Sequence, residues 1–471
     1  MMNGSDRRTA AACPCPVARD SLYTPVRIVE LDLDEPSGLR PPGGSGAVDP
    51  EGRVLALVRL HGHPLGLVKA TGARGDLAGL RRALVDAAHR ELRVPARSDR
   101  TPAAMTPAPF TAPSVPRLPA AAPRPAEPAG QTTAAPAARP GRAGRARVPA
   151  DPPLISVIVA THNREGMLRQ CLDSLLRNGY PQVEIIVVDN APASDAAETL
   201  VRGRYPGRVR YLREPVAGLA RAHNCGLDAA HGELCAFTDD DTLADPAWLT
   251  SLAAAFAADR RIGCVTGLIL PAELETPAQA ALENHGGFGK GFAARTWSLA
   301  DRRHEPLFPF AAGRFGSGAN MAFRTAELRA IGGFDPATGT GTPAHGGDDL
   351  LAFFRMLVAG HTLAYAPDAL IWHRHRRTMD ALPAQAFGYG AGFGAYLAAA
   401  LTHEPAMLPA LLRRLPQGLG LAAGRVRSRP AAGGRPSLRL ARLEIQGLVY
   451  GPVGYLRSVW KQRGVRAESC P

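Results

Sequence analysis

The sequence predicts an α/β protein with a doubly wound, mainly parallel sheet and helices on both faces, preceded by a small α+β module and a disordered linker. From residue 154 onward, short runs of continuous apolar residues alternate with amphipathic helical segments, as in parallel strands that are buried on both faces. Residues 96–150 consist mostly of Pro, Ala, Thr and Arg, and such a stretch buries too little apolar surface to fold.

Residues 26–95 form the predicted α+β module. Two apolar runs of strand length, at 26–33 and 53–60, are followed by a turn at 61–64 and then by a helical spacing of leucines between Asp76 and Leu92. No chemistry follows from these residues. Residues 1–25 are predicted to be a disordered N-terminus.

The third part, residues 151–380, contains strands and helices in alternation. Continuous apolar character identifies the strands, and a repeat of apolar residues every three or four positions identifies the helices. In chain order the predicted elements are a strand at 154–160, a helix at 165–177, a strand at 183–188, a helix at 195–202, a strand at 209–212, a helix at 217–230 and a strand at 233–237.

Polar residues follow three of these strands, and the carboxyl ends of parallel strands lie at one rim of a sheet, where ligands bind. They are the segments 161–164, 189–190 and 239–241. The last is three consecutive aspartates, which repel one another unless a cation lies among them. Mg²⁺ and Mn²⁺ prefer oxygen ligands and share them with phosphates. The sequence therefore predicts a site for a divalent cation and a diphosphate.

Five motifs in this order, SVIVATHNREGMLRQCLDSLL, EIIVVDN, TDDD, GGFDP and GGDDL, resemble those of family-2 glycosyltransferases with the GT-A fold. The resemblance covers about residues 154–375. It implies a metal-dependent enzyme that moves a sugar from a nucleotide-sugar, most commonly a UDP-sugar, to the hydroxyl of a glycan, a lipid-linked or a small-molecule acceptor. Inversion and a non-processive reaction are expected, the latter because the transmembrane channel helices of polymer synthases are absent.

The resemblance implies the residues that bind the donor. Asp189 would accept hydrogen bonds from the base or ribose, although it could instead cap the following helix. The full set predicted to bind the nucleotide is Thr161, Asn163, Arg164, Asp189, Asn224 and Asp239.

The metal ligands are predicted within the Asp-x-Asp pair. Asp241 would bind the divalent cation, Mn²⁺ or Mg²⁺, and Asp239 would lie nearer the ribose while contributing to the same site. His373 is a further candidate ligand, or a partner of the diphosphate. The alternative for His373 is a packed side chain beside Trp372.

Asp349 is the candidate general base, because a carboxylate in the first turn of a helix at the cleft could take the acceptor proton during attack. Asp348 stands where the family usually has Glu. Its shorter side chain changes the reach of its predicted contact with the acceptor, and the base assignment could instead slide by one residue. Gly318 and Asn320 lie in a segment that precedes a predicted short strand and that the family has beside the donor sugar and acceptor. The alternative for the two carboxylates is helix capping.

Residues 381–471 are predicted to be a helical, basic region. From Arg413 onward there are eleven arginines and one lysine against two glutamates. This charge favours peripheral contact with an anionic inner membrane face, with a solvated tail as the alternative. No nucleic-acid docking element is recognisable, so nucleic acid is not an expected partner.

A cytoplasmic location is expected, because the first residues lack the apolar region of a signal peptide. The seven cysteines are scattered without paired spacings, which favours reduced thiols.

Two other functions remain open from the sequence. A nucleotidyltransferase would need a glycine-rich basic loop after its first strand, and residues 161–164 contain no glycine. A non-catalytic nucleotide-sugar-binding or membrane-tethering module would keep its role without Asp349.

Overall fold

The structure is a computed structural model that describes residues 24–35, 38–44, 46–94, 148–301, 307–414, 416–417 and 436–463. The predictions for the N-terminus before residue 24, for residues 95–147 of the linker and for much of the basic C-terminal segment therefore lie outside the described residues. The domain limits drawn from the sequence stay predictions.

A nine-stranded sheet forms the centre of the protein. Its strands are β5 (Ile155–Thr161), β6 (Val183–Asn190), β7 (Arg210–Glu214), β8 (Leu234–Asp239), β9 (Thr242–Ala244), β10 (Ile262–Pro271), β11 (Arg295–Trp297), β12 (Met321–Arg324) and β13 (Thr362–His373). Their order is β11-β13-β10-β12-β8-β5-β6-β7, with β9 paired to β13. Strands β8, β5, β6 and β7 are parallel neighbours, and β10 is parallel to β13.

Helices cover both faces of this sheet. They are α2 (Glu165–Leu175), α3 (Ala196–Arg204), α4 (Leu219–Ala229), α5 (Trp248–Ala258), α6 (Pro277–Gly286), α7 (Thr325–Ala330), α8 (Asp348–Val358), α9 (Ala381–His403) and α10 (Pro436–Arg463). Along β5, Val157 and Val159 belong to the core formed with α2 and α5, whereas Ile158 belongs to the core formed with α4 and α8. Alternate side chains of one apolar strand thus fill two cores, which confirms the predicted fold class.

Strand β12 follows the segment that contains Gly318 and Asn320, where the sequence predicts a short strand, but its direction was not predicted. It runs antiparallel to both β10 and β8 and so joins the two parallel parts of the sheet. A strand of four residues is too short to show a distinct pattern in the sequence.

The N-terminal module is a four-stranded sheet of order β2-β1-β3-β4 with one helix, α1 (Leu77–Glu91). Its strands are β1 (Val26–Asp32), β2 (Leu39–Arg40), β3 (Gly52–Leu60) and β4 (His63–Gly72). Helix α1 covers one face, while Ile28, Leu55 and Leu57 on the other face join the core of the large domain. The module is therefore held against the α/β domain by apolar contact.

Arg59 adds a buried ionic link between these two parts. Its Nε donates to Glu30 Oε2 over 2.8 Å, and its Nη2 donates to Asp245 Oδ2 over 2.5 Å. Both carboxylates and the guanidinium are almost fully buried. A buried group of charges such as this stabilises the fold only while each charge keeps its partner of opposite sign.

Helices α9 and α10 pack side by side through glycines. At Gly390 and Gly447 the backbone of the facing helix leaves no room for a Cβ atom, so the two helices are in close contact. In the part of the chain that the structure describes, we find no helix with both the length and the apolarity required to span a bilayer.

The prediction of reduced thiols holds for Cys171, Cys235 and Cys264, which are free and buried. Cys225 is disulfide-bonded. The prediction is wrong for this cysteine, because sequence spacing does not reveal which distant thiols the fold brings together.

Candidate functional site

The candidate site lies where β6, β5 and β8 end next to one another. Thr161 of β5 is opposite Asp189 of β6, and Ala160 of β5 is opposite Asp239 of β8. The parallel register therefore brings the polar strand ends to one rim, as the sequence predicts.

The central aspartate of the triplet is turned into the protein. Asp240 is buried and accepts a 2.7 Å hydrogen bond from Thr161 Oγ1. Arg164 Nη1 donates to Asp240 over 3.1 Å and to Asp241 over 3.0 Å. Thr161 and Arg164 thus hold the acidic triplet in place, and a contact of either residue with the donor stays a prediction.

Asp239, Asp241 and His373 form a group that could hold a metal ion, because one ligand atom from each lies within 4.8 Å of the others. The end of β13 brings His373 opposite Thr242 of β9. His373 Nε2 lies 3.2 Å from Asp241 Oδ1. Two carboxylates and one imidazole are a donor set that suits Mn²⁺ or Mg²⁺ shared with a phosphate.

The pKa values of the two aspartates in this group indicate a site that favours a cation. Burial and then the charge of Asp241 raise the pKa of Asp239 to about 7. Burial acts in the same direction on Asp241, but the adjacent His373 and Arg164 hold its pKa below the usual value. The unmatched negative charge of Asp239 is what a divalent ion would neutralise.

His375 and Glu283 lie behind His373 and influence which nitrogen of its ring carries a proton. His375 Nε2 lies 2.5 Å from Glu283 Oε1, and His375 Nδ1 lies 3.3 Å from His373 Nδ1. When Nε2 of a neutral His375 donates to Glu283, its Nδ1 is left to accept a proton from His373 Nδ1. Nε2 of His373 then carries no proton and is available to a cation.

Sequence reasoning missed His375 and Glu283. The alternation His373-x-His375 on a strand end was the available signal for the first. Glu283 lies in α6, about ninety residues earlier in the chain, and nothing in its neighbourhood indicates a partner.

Asp349 lies in the first turn of α8, after Gly347, whose φ of 92° is favourable only for glycine. Its Oδ2 accepts a 2.8 Å hydrogen bond from the backbone N–H of Gly318, and its Oδ1 accepts one from Leu350 N. Burial and then the charge of Asp348 raise the pKa of Asp349 to about 6. A pKa near the working pH is what a general base requires.

Asp348 is turned towards His223, and its predicted contact with the acceptor stays a prediction. Asp348 is buried, and its Oδ2 lies 3.4 Å from His223 Nδ1. The imidazole of His223 in turn packs against Phe237 and Phe334. Asp348 is therefore directed inward, while Gly347, without a side-chain hydrogen bond, caps the helix.

Two predicted asparagines hydrogen-bond within the protein. Both ends of the Asn224 amide bind the backbone of Phe334, over 2.7 and 2.9 Å. Asn320 is fully buried; its Oδ1 accepts from Trp248 and its Nδ2 donates to two backbone carbonyls. The half-buried Asn224 keeps a second N–H for a ligand, and a contact of either residue with the donor or the acceptor stays a prediction.

Asp189 has an oxygen available for a ligand. Its Oδ2 accepts from Tyr211 over 3.0 Å, whereas its buried Oδ1 has no hydrogen-bond partner among the described residues. It does not cap α3, which begins after Asp195. Asn163 is exposed with a φ of 54°, and its Oδ1 accepts from Ala193 N over 2.9 Å.

Comparison with known proteins identifies the domain. Residues 156–329 match the model of Glycosyl transferase family 2. This part of the chain is a family-2 glycosyltransferase domain. The matched residues include the strand ends that carry Thr161, Asp189, Asp239 and Asp241, so the resemblance noted in the sequence is confirmed.

Curated glycosyltransferases are similar to part of this chain. The pre-mycofactocin glycosyltransferase of Mycobacterium tuberculosis is 27% identical over 283 residues, which are 58% of this chain and 54% of the relative. The uncharacterized glycosyltransferase EpsJ of Bacillus subtilis is 34% identical over 90 residues, 19% of this chain and 26% of the relative. The chain thus spans about half the length of the first relative.

A similar solved structure is a mannosyltransferase from Pyrobaculum calidifontis in complex with GDP-Man and Mn²⁺. It is 21% identical and has a TM-score of 0.40, with 68% of this chain and 90% of that chain covered.

Proposed function

We propose that this chain is a divalent-cation-dependent, inverting and non-processive glycosyltransferase that moves a sugar from a nucleoside diphosphate to an acceptor hydroxyl. The observation that carries the proposal is the arrangement at the sheet rim. Asp239, Asp241 and His373 offer three ligand atoms within 4.8 Å of one another. A hydrogen-bonded turn links strand β8, which ends at Asp239, to Asp349.

The nucleotide is expected at the ends of β5 and β6. The unpartnered Oδ1 of Asp189 would accept a hydrogen bond from a base N–H or a ribose hydroxyl, because a buried acceptor without a partner is costly. Asn163, exposed at the end of β5, lies within the same rim. The diphosphate would then lie towards the acidic pair at the end of β8.

Asp239, Asp241 and Nε2 of His373 would hold the cation. When bound, a divalent ion neutralises the charge that develops on the departing nucleoside diphosphate. Thr161 and Arg164 keep the acidic triplet positioned through their contacts with Asp240 and Asp241.

Asp349 would act as the general base. Its carboxylate takes the proton of the acceptor hydroxyl as the acceptor oxygen forms its bond to the anomeric carbon and the bond to the diphosphate breaks. One displacement of this kind inverts the anomeric centre. The hydrogen bonds from Gly318 and Leu350 fix the orientation of the carboxylate, and a fixed base is worth about 10²–10⁴ in rate.

A donor panel tests this proposal directly. The full chain is incubated with Mn²⁺ and, separately, with UDP-sugars and GDP-sugars, in the presence of glycan, lipid-linked and small-molecule acceptors. Release of nucleoside diphosphate and the mass of the product are measured. We expect one donor class to be consumed and one hexose or related unit to be added. Transfer of a nucleotide instead of a sugar, or binding of a donor without turnover with any acceptor, would contradict the proposal.

A further inference from the structure

The outer side of α10 carries a continuous apolar surface. Six apolar side chains recur at helical spacing and are exposed; we call them the α10 stripe. They are Ile445, Leu448, Val449, Val453, Leu456 and Trp460. Three of them are largely exposed, with 74% for Val449, 66% for Leu456 and 76% for Trp460.

The opposite side of α10 is already used for folding. Gly447 and Gly451 contact the backbone of α9 so closely that a Cβ atom would collide with it. Tyr455 and Ser458 are buried, and the Tyr455 hydroxyl donates to Asp335 over 3.0 Å. The helix is therefore held in place by its other side, while the side chains of the α10 stripe stay exposed.

The charges that α10 itself carries are nearly all positive. Five basic side chains of α10 are exposed, namely Arg439, Arg442, Arg457, Lys461 and Arg463. The helix contains a single acid, Glu444, which is half-buried. An apolar face with a terminal Trp and flanking Lys and Arg is the pattern of a helix that lies in a membrane interface.

We propose that the α10 stripe docks onto an anionic lipid bilayer, with α10 lying parallel to the surface. The apolar side chains would enter the boundary between headgroups and acyl chains, and the basic residues would contact anionic headgroups. At 1.5 Å per residue, this helix of 28 residues is about 42 Å long. A second copy of the chain fits less well, because pairing two stripes would bring like charges together.

Docking of α10 on a membrane would also fix the position of the candidate site relative to that membrane. Gln462 of α10 donates to the Pro336 carbonyl over 2.9 Å, and Gly454 lies against Pro343. Both contacts are with the segment that leads into α8 and Asp349. The inference goes beyond the proposed function, since lipid binding is measured without turnover.

Trp460 provides a direct probe. All four tryptophans lie in the described residues, and Trp248, Trp297 and Trp372 are buried. The full chain is mixed with vesicles of equal parts phosphatidylcholine and phosphatidylglycerol. We expect the tryptophan emission to shift to the blue and to be quenched less by acrylamide. The change should be absent in W460F, and neutral phosphatidylcholine vesicles should give a much weaker response.

Variants separate the apolar and the charged contributions. Val449→Asp with Leu456→Asp should abolish co-flotation with the anionic vesicles, and Lys461→Gln with Arg463→Gln should weaken it at least about tenfold. Leu77→Asp, which alters an exposed leucine of α1, serves as the matched control and should bind normally.

Two results would overturn the proposal. One is tryptophan emission that anionic vesicles do not change. The other is a protein that sediments as a dimer without lipid, protects Trp460 in that state and becomes monomeric in the double aspartate variant; the α10 stripe would then be a protein interface.

Discussion

The carboxylate of Asp349 accepts a 2.8 Å hydrogen bond from the backbone N–H of Gly318. The next residue, Ala319, accepts a 2.8 Å hydrogen bond from Thr238 Oγ1, and Thr238 immediately precedes Asp239 on β8. A single turn of chain therefore connects the candidate base to the candidate metal ligands. The relative position of these groups is set by backbone atoms and one buried hydroxyl, which leave little freedom.

Asp349→Asn should remove the proton acceptor while leaving the shape of the site unchanged. We expect the turnover number to fall about 10²–10⁴-fold. The dissociation constant of the nucleotide-sugar should change by less than about threefold, because the base is not needed for donor binding. Steady-state rates and calorimetric donor titration measure the two quantities. Full turnover in this variant would assign the base to another residue.

The pH dependence should follow the ionisation of Asp349. Burial and Asp348 raise its pKa to about 6, so the carboxylate is the main form above that pH and is protonated below it. Because only the carboxylate accepts a proton, kcat/KM should fall about tenfold per pH unit below about 6 at saturating cation. The residual activity of Asp349→Asn should lack this dependence; an unchanged profile would refute the assignment.

Glu283 is expected to act through His375 and His373 as a positioning residue. Glu283→Met should weaken Mn²⁺ binding about 10–100-fold, because His375 loses the acceptor that fixes its tautomer. Glu283→Gln should largely restore binding, since the amide oxygen can still accept. Mn²⁺ titration by electron paramagnetic resonance measures this without turnover.

The matched control for Glu283 is Glu275→Gln, which alters an exposed partner of Arg377 and should leave Mn²⁺ affinity unchanged. If Glu283→Met binds Mn²⁺ like the wild type, the proposed link through two imidazoles has no influence on the cation.

Arg59 should contribute strongly to the attachment of the N-terminal module. Arg59→Met would leave Glu30 and Asp245 buried without their cation, at a cost of about 3–5 kcal/mol in the free energy of unfolding. Arg27→Ala removes an exposed pair with Asp49 and should cost about 1 kcal/mol or less. Denaturant titration measures the free energy of unfolding of both variants. Equal losses would show that the buried ion pairs of Arg59 stabilise the protein no more than the exposed pair of Arg27.

The sheet and its functional rim were predictable because they depend on local patterns. Apolar runs such as residues 155–160 fix a strand, and parallel pairing then aligns the polar residues that follow, so Asp189 and Asp239 appear at one edge. The antiparallel direction of the short strand β12 was not predicted, since four residues carry no pattern that shows how a strand pairs.

Side-chain orientation was less predictable. Asp348 and Asp349 are adjacent in α8, yet they point in different directions. Asp348 faces His223, whereas Asp349 faces the turn at Gly318. The amides of Asn224 and Asn320 bind backbone groups up to 110 residues away, and no local signal identifies such partners. The orientation of these side chains depends on long-range hydrogen bonds and not on secondary structure alone.

The cation requirement of Asp241 tests the central claim most directly. Nucleoside diphosphate release from the preferred nucleotide-sugar is measured while Mn²⁺ is titrated, for the wild type and for Asp241→Asn. We predict saturable activation that a chelator abolishes in the wild type, and at least about a tenfold higher half-activating Mn²⁺ concentration in the variant. Equal turnover in the chelator, or identical Mn²⁺ curves for both proteins, would contradict a metal site formed by Asp239, Asp241 and His373.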